Sequence, residues 1–324
     1  MRIVRLPTIR TKHLETLVHT LLSTMHACFS NRDIVHYYTV GPSLFSFVPR
    51  LFGKKTVVSV QGLDWQRKKW GKIARRALKF CEWTSARLPT ATVVVSRTLQ
   101  EYYWSRYGKS CAYVPNGTRI REQQTGNYLQ SIGLQPGSYA LFLGRFSPEK
   151  NCDLLIEAFE KLDTTMKLVL AGGSSHTDDY AAGLRQHNSE RIRVLDWISG
   201  DALEEVLTNA ALFVLPSDLE GLSLALLDAM GTGLCVLASD APENVEAIGD
   251  AGFTFRRGDV NDLQRMLALL LAAPVLRENS GRRAQARIRR EYLWEEAAKE
   301  MDAVYSSLFA CPARMPKKAA AKAA

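Results

Sequence analysis

The chain has no apolar run of the ~18 residues that a membrane-spanning helix needs. The longest candidate, Met266–Ala273, is short and follows Gln264 and Arg265. The opening residues, MRIVRLPTIRTKH, lack the apolar core and the small-residue cleavage site of a secretory leader. These two absences lead us to expect a cytoplasmic protein. Six cysteines (Cys28, Cys81, Cys111, Cys152, Cys235 and Cys311) occur without a CxxC pair. That spacing argues against a zinc site or a disulfide framework, and for small buried side chains in a reducing compartment. No D-x-D pair is present, so a divalent ion need not be essential, and no cofactor is expected. Acidic residues are scarce in one half only. Residues 1–121 carry 21 Lys+Arg against 5 Asp+Glu, a net charge of +16, while the remainder carries −7. Such asymmetry points to an anionic partner for the first half.

What is present is a repeated alternation of strand-like and helix-like runs, in a chain of 324 residues that is long enough for two cores. Strands are predicted at Ile3–Leu6, Asp33–Tyr37, Thr56–Val60, Ala91–Val95 and Ala112–Pro115. After a polar stretch they resume at Tyr139–Leu143, Lys167–Ala171, Ile192–Leu195, Leu212–Leu215, Cys235–Ala238 and Phe253–Phe255. Near-continuous apolar strands separated by helices mean parallel sheets covered on both faces. The expected fold class is therefore α/β, with two doubly wound domains. Their expected limits are 1–121 and 139–292, joined by a linker at 122–138. A helix at 293–310 is expected to pack back across the domains, and the tail 311–324 is expected to be disordered. Ligands should bind at the carboxyl ends of the strands, facing the cleft between the domains.

Four strand ends in the second half carry residues suited to one anionic, hydroxyl-rich ligand. YALFLGRFSPEKN places Gly144 and Arg145 just beyond a strand and Lys150 at the next helix. A guanidinium fork beside a mobile ammonium neutralises a diphosphate, although taken alone the pair is more simply a solvated turn. KLVLAGG ends in Gly172 and Gly173, which allow close approach to the backbone. Trp197 follows a third strand and reads either as core or as the wall of a base pocket. In LFVLPSDLEGLSLALLDAMGTGLCVLAS, Glu220 precedes a helix predicted to start near Leu222, so Gly221, Leu222 and Ser223 lie where free N–H groups attract anions. Glu220 is either a helix cap or an acceptor for sugar hydroxyls. Asp228 is either a surface acid or a ribose ligand, and its apolar surroundings make an unpaired acid costly.

GRFSPEKN, LVLAGG, the long stretch from Leu212 to Glu246, GDAGFTF, VPNG and the run DIVHYYTVGPSLFSFVPRLFGKKTVVSVQGLDWQRKKWG together resemble the family 4 retaining glycosyltransferases of the two-Rossmann, or GT-B, fold. The subgroup resembled builds bacterial cell-surface polysaccharides and is often described as rhamnosyltransferase-like. The resemblance covers almost all of residues 1–310. It implies transfer of a hexose or deoxyhexose from a nucleotide-diphosphate sugar to a polysaccharide or lipid-linked acceptor, with retention. It also implies roles for individual positions. Arg145 and Lys150 would hold the donor diphosphate, Glu220 the donor sugar and Asp228 the ribose. Asp228 stands one methylene short of the glutamate in the family's E-x7-E pair. Gln61 and Asp64 fall in the loop beside the donor sugar, where a histidine is common; glutamine hydrogen-bonds but carries no proton. The family pattern further implies roughly 60–70 preceding residues, with a central strand and a glycine-rich loop, and hence an incomplete first domain.

Lys68, Lys72, Arg75, Arg76 and Lys79 recur at helical spacing within 67–87. This basic amphipathic helix is either a solvated face or a contact with anionic lipid on the inner face of a membrane. No nucleic-acid recognition module accompanies the charge. Two rival readings remain for the whole chain. One is a nucleotide-sugar-binding subunit or catalytically impaired fragment; the other is a different two-Rossmann enzyme such as a sugar epimerase.

Overall fold

The computed structural model describes residues 3–8, 15–67, 70–174 and 177–310. Helix α1 (Glu15–Cys28) leads into strand β1 (Ile34–Tyr38). A short helix α2 (Val48–Leu51), strand β2 (Lys55–Val60), helix α3 (Lys72–Arg87), strand β3 (Ala91–Val94), helix α4 (Arg97–Tyr107) and strand β4 (Ala112–Tyr113) follow. The four strands pair in parallel in the order β1-β2-β3-β4. Parallel neighbours need a crossover, and the helices between strands supply it. Residues 3–8 take no regular structure and Ile3 is exposed, where the apolar run predicted a strand. No neighbouring strand is hydrogen-bonded to that run, and Pro7 lacks a donor. Strand β4 stops two residues short of Pro115 for the same lack of an N–H.

The second sheet holds β5 (Tyr139–Leu143), β6 (Lys167–Ala171), β7 (Ile192–Leu195), β8 (Leu212–Leu215), β9 (Val236–Ser239) and β10 (Phe253–Phe255). Its order is β10-β9-β8-β5-β6-β7, all parallel. Strands β8 and β9 are wholly buried, as continuous apolar runs require. The connecting helices are α5 (Tyr128–Ser131), which precedes β5, then α6 (Cys152–Glu160), α7 (Asp178–Arg185), α8 (Gly200–Thr208), α9 (Leu224–Gly231) and α10 (Pro242–Ile248). Helices α11 (Val260–Ala272), α12 (Pro274–Glu291) and α13 (Trp294–Ser307) close the described chain. The strand order reverses between β5 and β8. Connections leave those two strands in opposite directions and open a crevice at their carboxyl ends.

The chain crosses between the sheets twice, side by side. Thr118 N donates to Tyr292 O at 2.8 Å and Trp294 N to Thr118 O at 3.2 Å. Helix α13 then lays Met301, Val304, Tyr305 and Leu308 against Val57, Val93 and Val114 of the first sheet. Within 122–138, α5 packs on α8, and Leu129 and Leu134 are buried in the main core. The cysteines at 28, 81, 111, 152 and 235 are buried and unpaired, and burial pushes the Cys111 thiol up to about 12. Cys311 lies outside the described residues.

His36 fastens α13 to β1 and β2. Its Nδ1 meets the Tyr305 hydroxyl at 2.6 Å and its Nε2 the Ser59 hydroxyl at 2.8 Å. Burial pushes the imidazole down to about 4, so it stays neutral near pH 7. A folded-state value below that of the unfolded chain means that protonation favours unfolding as pH falls through the interval from 6.5 to 4. We expect the urea midpoint to fall across that interval by ~2 kcal/mol of stability, and His36→Asn to remove that step from the pH profile.

Candidate active site

The crevice between β5 and β8 is where the sequence placed Arg145, Lys150 and Glu220, and the fold brings all three together. After β5 the chain passes Gly144 and Arg145 and makes a single 3₁₀ turn, Pro148–Lys150. Asn151, in the left-handed region at φ 48°, donates from Nδ2 to Pro216 O at 3.1 Å and to Asp218 Oδ1 at 2.7 Å. It thereby ties this loop to the one after β8. Lys150 Nζ donates to Glu220 Oε1, and their side chains are only 14% and 10% exposed. Arg145 forms no ion pair among the described residues, and it lines the same cleft.

The opposite wall belongs to the first domain. The loop after β2 brings Gln61, Gly62, Leu63 and Arg67 against Glu220, Gly221 and Leu222, leaving a cleft of about 90 Å³. A Cβ on Gly221 would stand 1.7 Å from Gln61 O, so only glycine permits this approach. Gly62 faces it at φ 149°. Asn116, from the VPNG stretch, donates from Nδ2 to Gln61 Oε1 and to Leu222 O, both at 3.2 Å. Arg67 pairs with Asp64 at 3.0 Å and approaches Glu149 of the second domain at 3.7 Å. Glu149 is buried and its Oε2 has no hydrogen-bond partner among the described residues. The sequence reading passed over Arg67, Asn116 and Glu149. Two of them sat inside stretches already singled out, VPNG and SPEK, and Arg67 opened the basic run.

The other expected residues lie around this cleft in two groups. Gly172 accommodates the Gly144 carbonyl, 1.8 Å from where a Cβ would be, and Gly173 accommodates the Trp197 indole. These glycines thus let the loops after β5, β6 and β7 lie on one another. Trp197 is 61% exposed, which removes the core reading and leaves a flat aromatic face beside the strand ends. Helix α9 begins at Leu224, two residues past Leu222, with the Ser223 hydroxyl accepting from Leu226 N as the N-cap. Asp228 points toward the crossing. Its Oδ1 accepts from the Thr118 hydroxyl at 2.5 Å and pairs with Arg121 at 2.9 Å, and Arg121 also pairs with Glu204 at 3.2 Å. The acid on an apolar helix is thus charge-balanced by Arg121 and hydrogen-bonded by Thr118.

Beside the cleft lies a larger groove of about 1180 Å³, exceeding the ~300–1,000 Å³ usual for small-molecule pockets. Leu17, Pro42, Trp70, Ile73, Ala77 and Leu78 give it apolar walls, Asp64 lines it, and Arg67 and Arg145 stand where it meets the cleft. Lys68 lies outside the described residues; α3 carries the rest of the basic run. Ile73 is 84% exposed, and Phe80 and Trp83 stack at 5.7 Å on the exposed face. Among the described residues there is no cluster of three or more His, Cys, Asp or Glu able to hold a metal ion, and no helix long and apolar enough to cross a membrane.

Gly221→Ala should force the two loops apart while leaving each sheet intact. We expect a larger radius of gyration in solution scattering, with unchanged far-ultraviolet circular dichroism.

Residues 130–287 match the sequence family described as "Glycosyl transferases group 1". O-antigen chain mannosyltransferase B of Escherichia coli is 30% identical over 186 residues, covering 56% of this chain and 49% of its own. Alpha-maltose-1-phosphate synthase of Mycobacterium tuberculosis is 28% identical over 204 residues, covering 58% and 52%. The chain thus spans about half the length of these curated relatives. Among solved structures, sucrose-phosphate synthase from Thermosynechococcus elongatus superposes with a TM-score of 0.78 at 20% identity, covering 90% of this chain and 78% of that one. Anabaena HepE in complex with UDP and glucose gives 0.79 at 16% identity, covering 90% and 82%. The fold is therefore α/β and GT-B-like, and residues 130–287 carry the sequence signature of the group 1 glycosyl transferases.

Proposed function

We propose that this protein transfers a hexose or deoxyhexose from a nucleotide-diphosphate sugar to a cell-surface polysaccharide or lipid-linked acceptor, with retention at the anomeric carbon. The observation that carries the reading is the convergence of Arg145, Lys150 and Glu220 at the switch point between β5 and β8. The names of two relatives support it: an O-antigen chain mannosyltransferase, and a lipopolysaccharide core mannosyltransferase of Rhizobium leguminosarum that is 31% identical over 180 residues.

In this reading Lys150 and Glu220 satisfy one another until the donor arrives. The diphosphate takes Lys150 and Arg145, and Glu220 is released to accept hydrogen bonds from the sugar. The N–H groups at the start of α9, with Gly221, Leu222 and Ser223, receive the leaving phosphate. The C1–phosphate oxygen bond breaks as the bond from C1 to the acceptor oxygen forms on the same face. The departing phosphate takes the acceptor's proton, so no side-chain base is needed and preorganised charge supplies the rate. Asp228 takes the ribose once the donor displaces part of its contact with Thr118 and Arg121, Trp197 takes the base, and Gly144, Gly172 and Gly173 allow the close passage of the donor. Gln61 and Asp64 flank the acceptor side, and neither a metal nor a cofactor takes part.

The apolar groove beside Asp64 and Arg67 suits the lipid portion of a lipid-linked acceptor. The exposed Ile73, Phe80 and Trp83, with Lys72, Arg75, Arg76 and Lys79, suit peripheral contact with an anionic membrane on its cytoplasmic face. No role with nucleic acid is proposed.

A panel of nucleotide sugars, titrated calorimetrically and then assayed with a membrane fraction, tests the reading. Glu220→Ala should lower turnover by ~10²–10³-fold, the scale of losing one group that stabilises transition-state charge. Arg145→Ala should weaken donor binding by ~10-fold or more, in line with one lost charge-assisted contact. Donor binding without turnover by the unaltered protein would assign a nucleotide-sugar-binding subunit instead. Unchanged turnover in both variants would remove the site assignment. Reversing the charges of Arg75, Arg76 and Lys79 should abolish co-sedimentation with anionic vesicles while leaving donor binding intact, at ~1 kcal/mol lost per cation.

A further inference from the structure

The stretch DAPENVE ends in a carboxylate, Glu246, that the site just described does not use. Glu246 stands on α10 of the second domain, yet its carboxylate caps α4 of the first. Oε1 accepts from Arg97 N at 2.6 Å, and Oε2 from Thr98 N and the Thr98 hydroxyl, both at 2.9 Å. A helix has free N–H groups in its first turn, and a side chain from its own segment commonly satisfies one of them. The hydroxyl of Ser96, the N-cap of α4, accepts from Leu99 N. The neighbouring donors are therefore filled from across the domain boundary.

The joint is braced from behind. Arg287 on α12 donates from Nε to Ala247 O and from Nη2 to Glu246 O, both at 2.9 Å, which fixes the carboxyl end of α10. The Arg287 guanidinium lies 5.8 Å from the Tyr292 ring, and the Arg97 guanidinium lies 3.8 Å from the Tyr113 ring. Tyr292 is the residue whose carbonyl receives Thr118 N at the crossing. One carboxylate thus links the first domain to the helix pair next to the only two crossings among the described residues. At the cleft itself the Gln61–Gly221 approach is flanked by the Asn116 bridge and the 3.7 Å Arg67–Glu149 pair, so its register also depends on joints such as this one.

We propose that Glu246 is a positioning residue for domain closure: by capping α4 it sets the register in which Gln61 and Gly62 meet Glu220 and Gly221. The proposal rests on the geometry of the joint and does not require the donor reading. Charge-assisted hydrogen bonds to backbone N–H groups are strong and directional, and truncating Glu246 leaves three donors facing a gap that water enters as the domains part.

Hydrogen exchange on the full chain tests this with Glu246→Ala, Glu246→Gln and, as a control of equal charge change, Asp250→Asn. Peptides covering 61–63 and 219–222 should exchange at least tenfold faster in Glu246→Ala and by less in Glu246→Gln, which keeps one acceptor. They should be unchanged in Asp250→Asn. Peptides within β5, β6 and β8 should stay protected in all three, which separates domain opening from loss of fold. Where turnover is measurable, kcat should fall more than KM rises. Faster exchange confined to 97–99, with 61–63 and 219–222 unaffected, would overturn the proposal and leave Glu246 as a local cap. Loss of donor binding in the unaltered protein would instead count against the donor site, with the exchange pattern unaffected.

Discussion

Everything in the site depends on the reversal of strand order between β5 and β8. Parallel strands joined by right-handed crossovers keep their helices on one face while the order runs one way and change face where it reverses, so at the reversal the connections leave to opposite sides and the strand ends stay uncovered. Two loops meet there, and the charges they carry are forced within contact. Lys150 and Glu220 are mostly buried in one another's company. A buried pair of this kind is stable only while both partners remain. An incoming anion that takes the lysine must therefore hand the carboxylate a new set of donors, and sugar hydroxyls are such a set.

The two domains touch through a small number of specific contacts. Gly221 removes the Cβ that would strike Gln61, Asn116 spans both walls, and Arg67 reaches from Asp64 toward Glu149. Glu246 fills a helix end that its own domain leaves open. These contacts are polar or depend on a missing side chain. An interface of that character suits surfaces that separate and meet again. The α13 helix is different, since it buries apolar side chains on the first sheet and adds the neutral His36 link to Tyr305.

Asp228 and Trp197 show how tertiary context chooses between readings that composition leaves open. The apolar helix around Asp228 signals that the acid needs a partner, and the partner is Arg121 from the crossing, more than 100 residues away in sequence. No local pattern encodes that distance. Trp197 follows its strand as a core residue might, but the neighbouring Gly173 leaves room for the indole to lie flat and exposed.

By itself the sequence determined the parallel α/β class, nearly every strand, and the positions of Arg145, Lys150 and Glu220 just past strand ends. These follow from local periodicity and from loop residues adjacent to apolar runs, both of which are written in consecutive positions. The run Ile3–Leu6 was misleading because an apolar segment becomes a strand only when a neighbour pairs with it, and pairing is not local. Tertiary structure alone decided which charges neutralise which, that Gly221 serves an interdomain contact, and that Glu246 caps a helix of the other domain. Each of these joins residues distant in the chain, brought together by burial of the sheets and not by any pattern in the residues themselves.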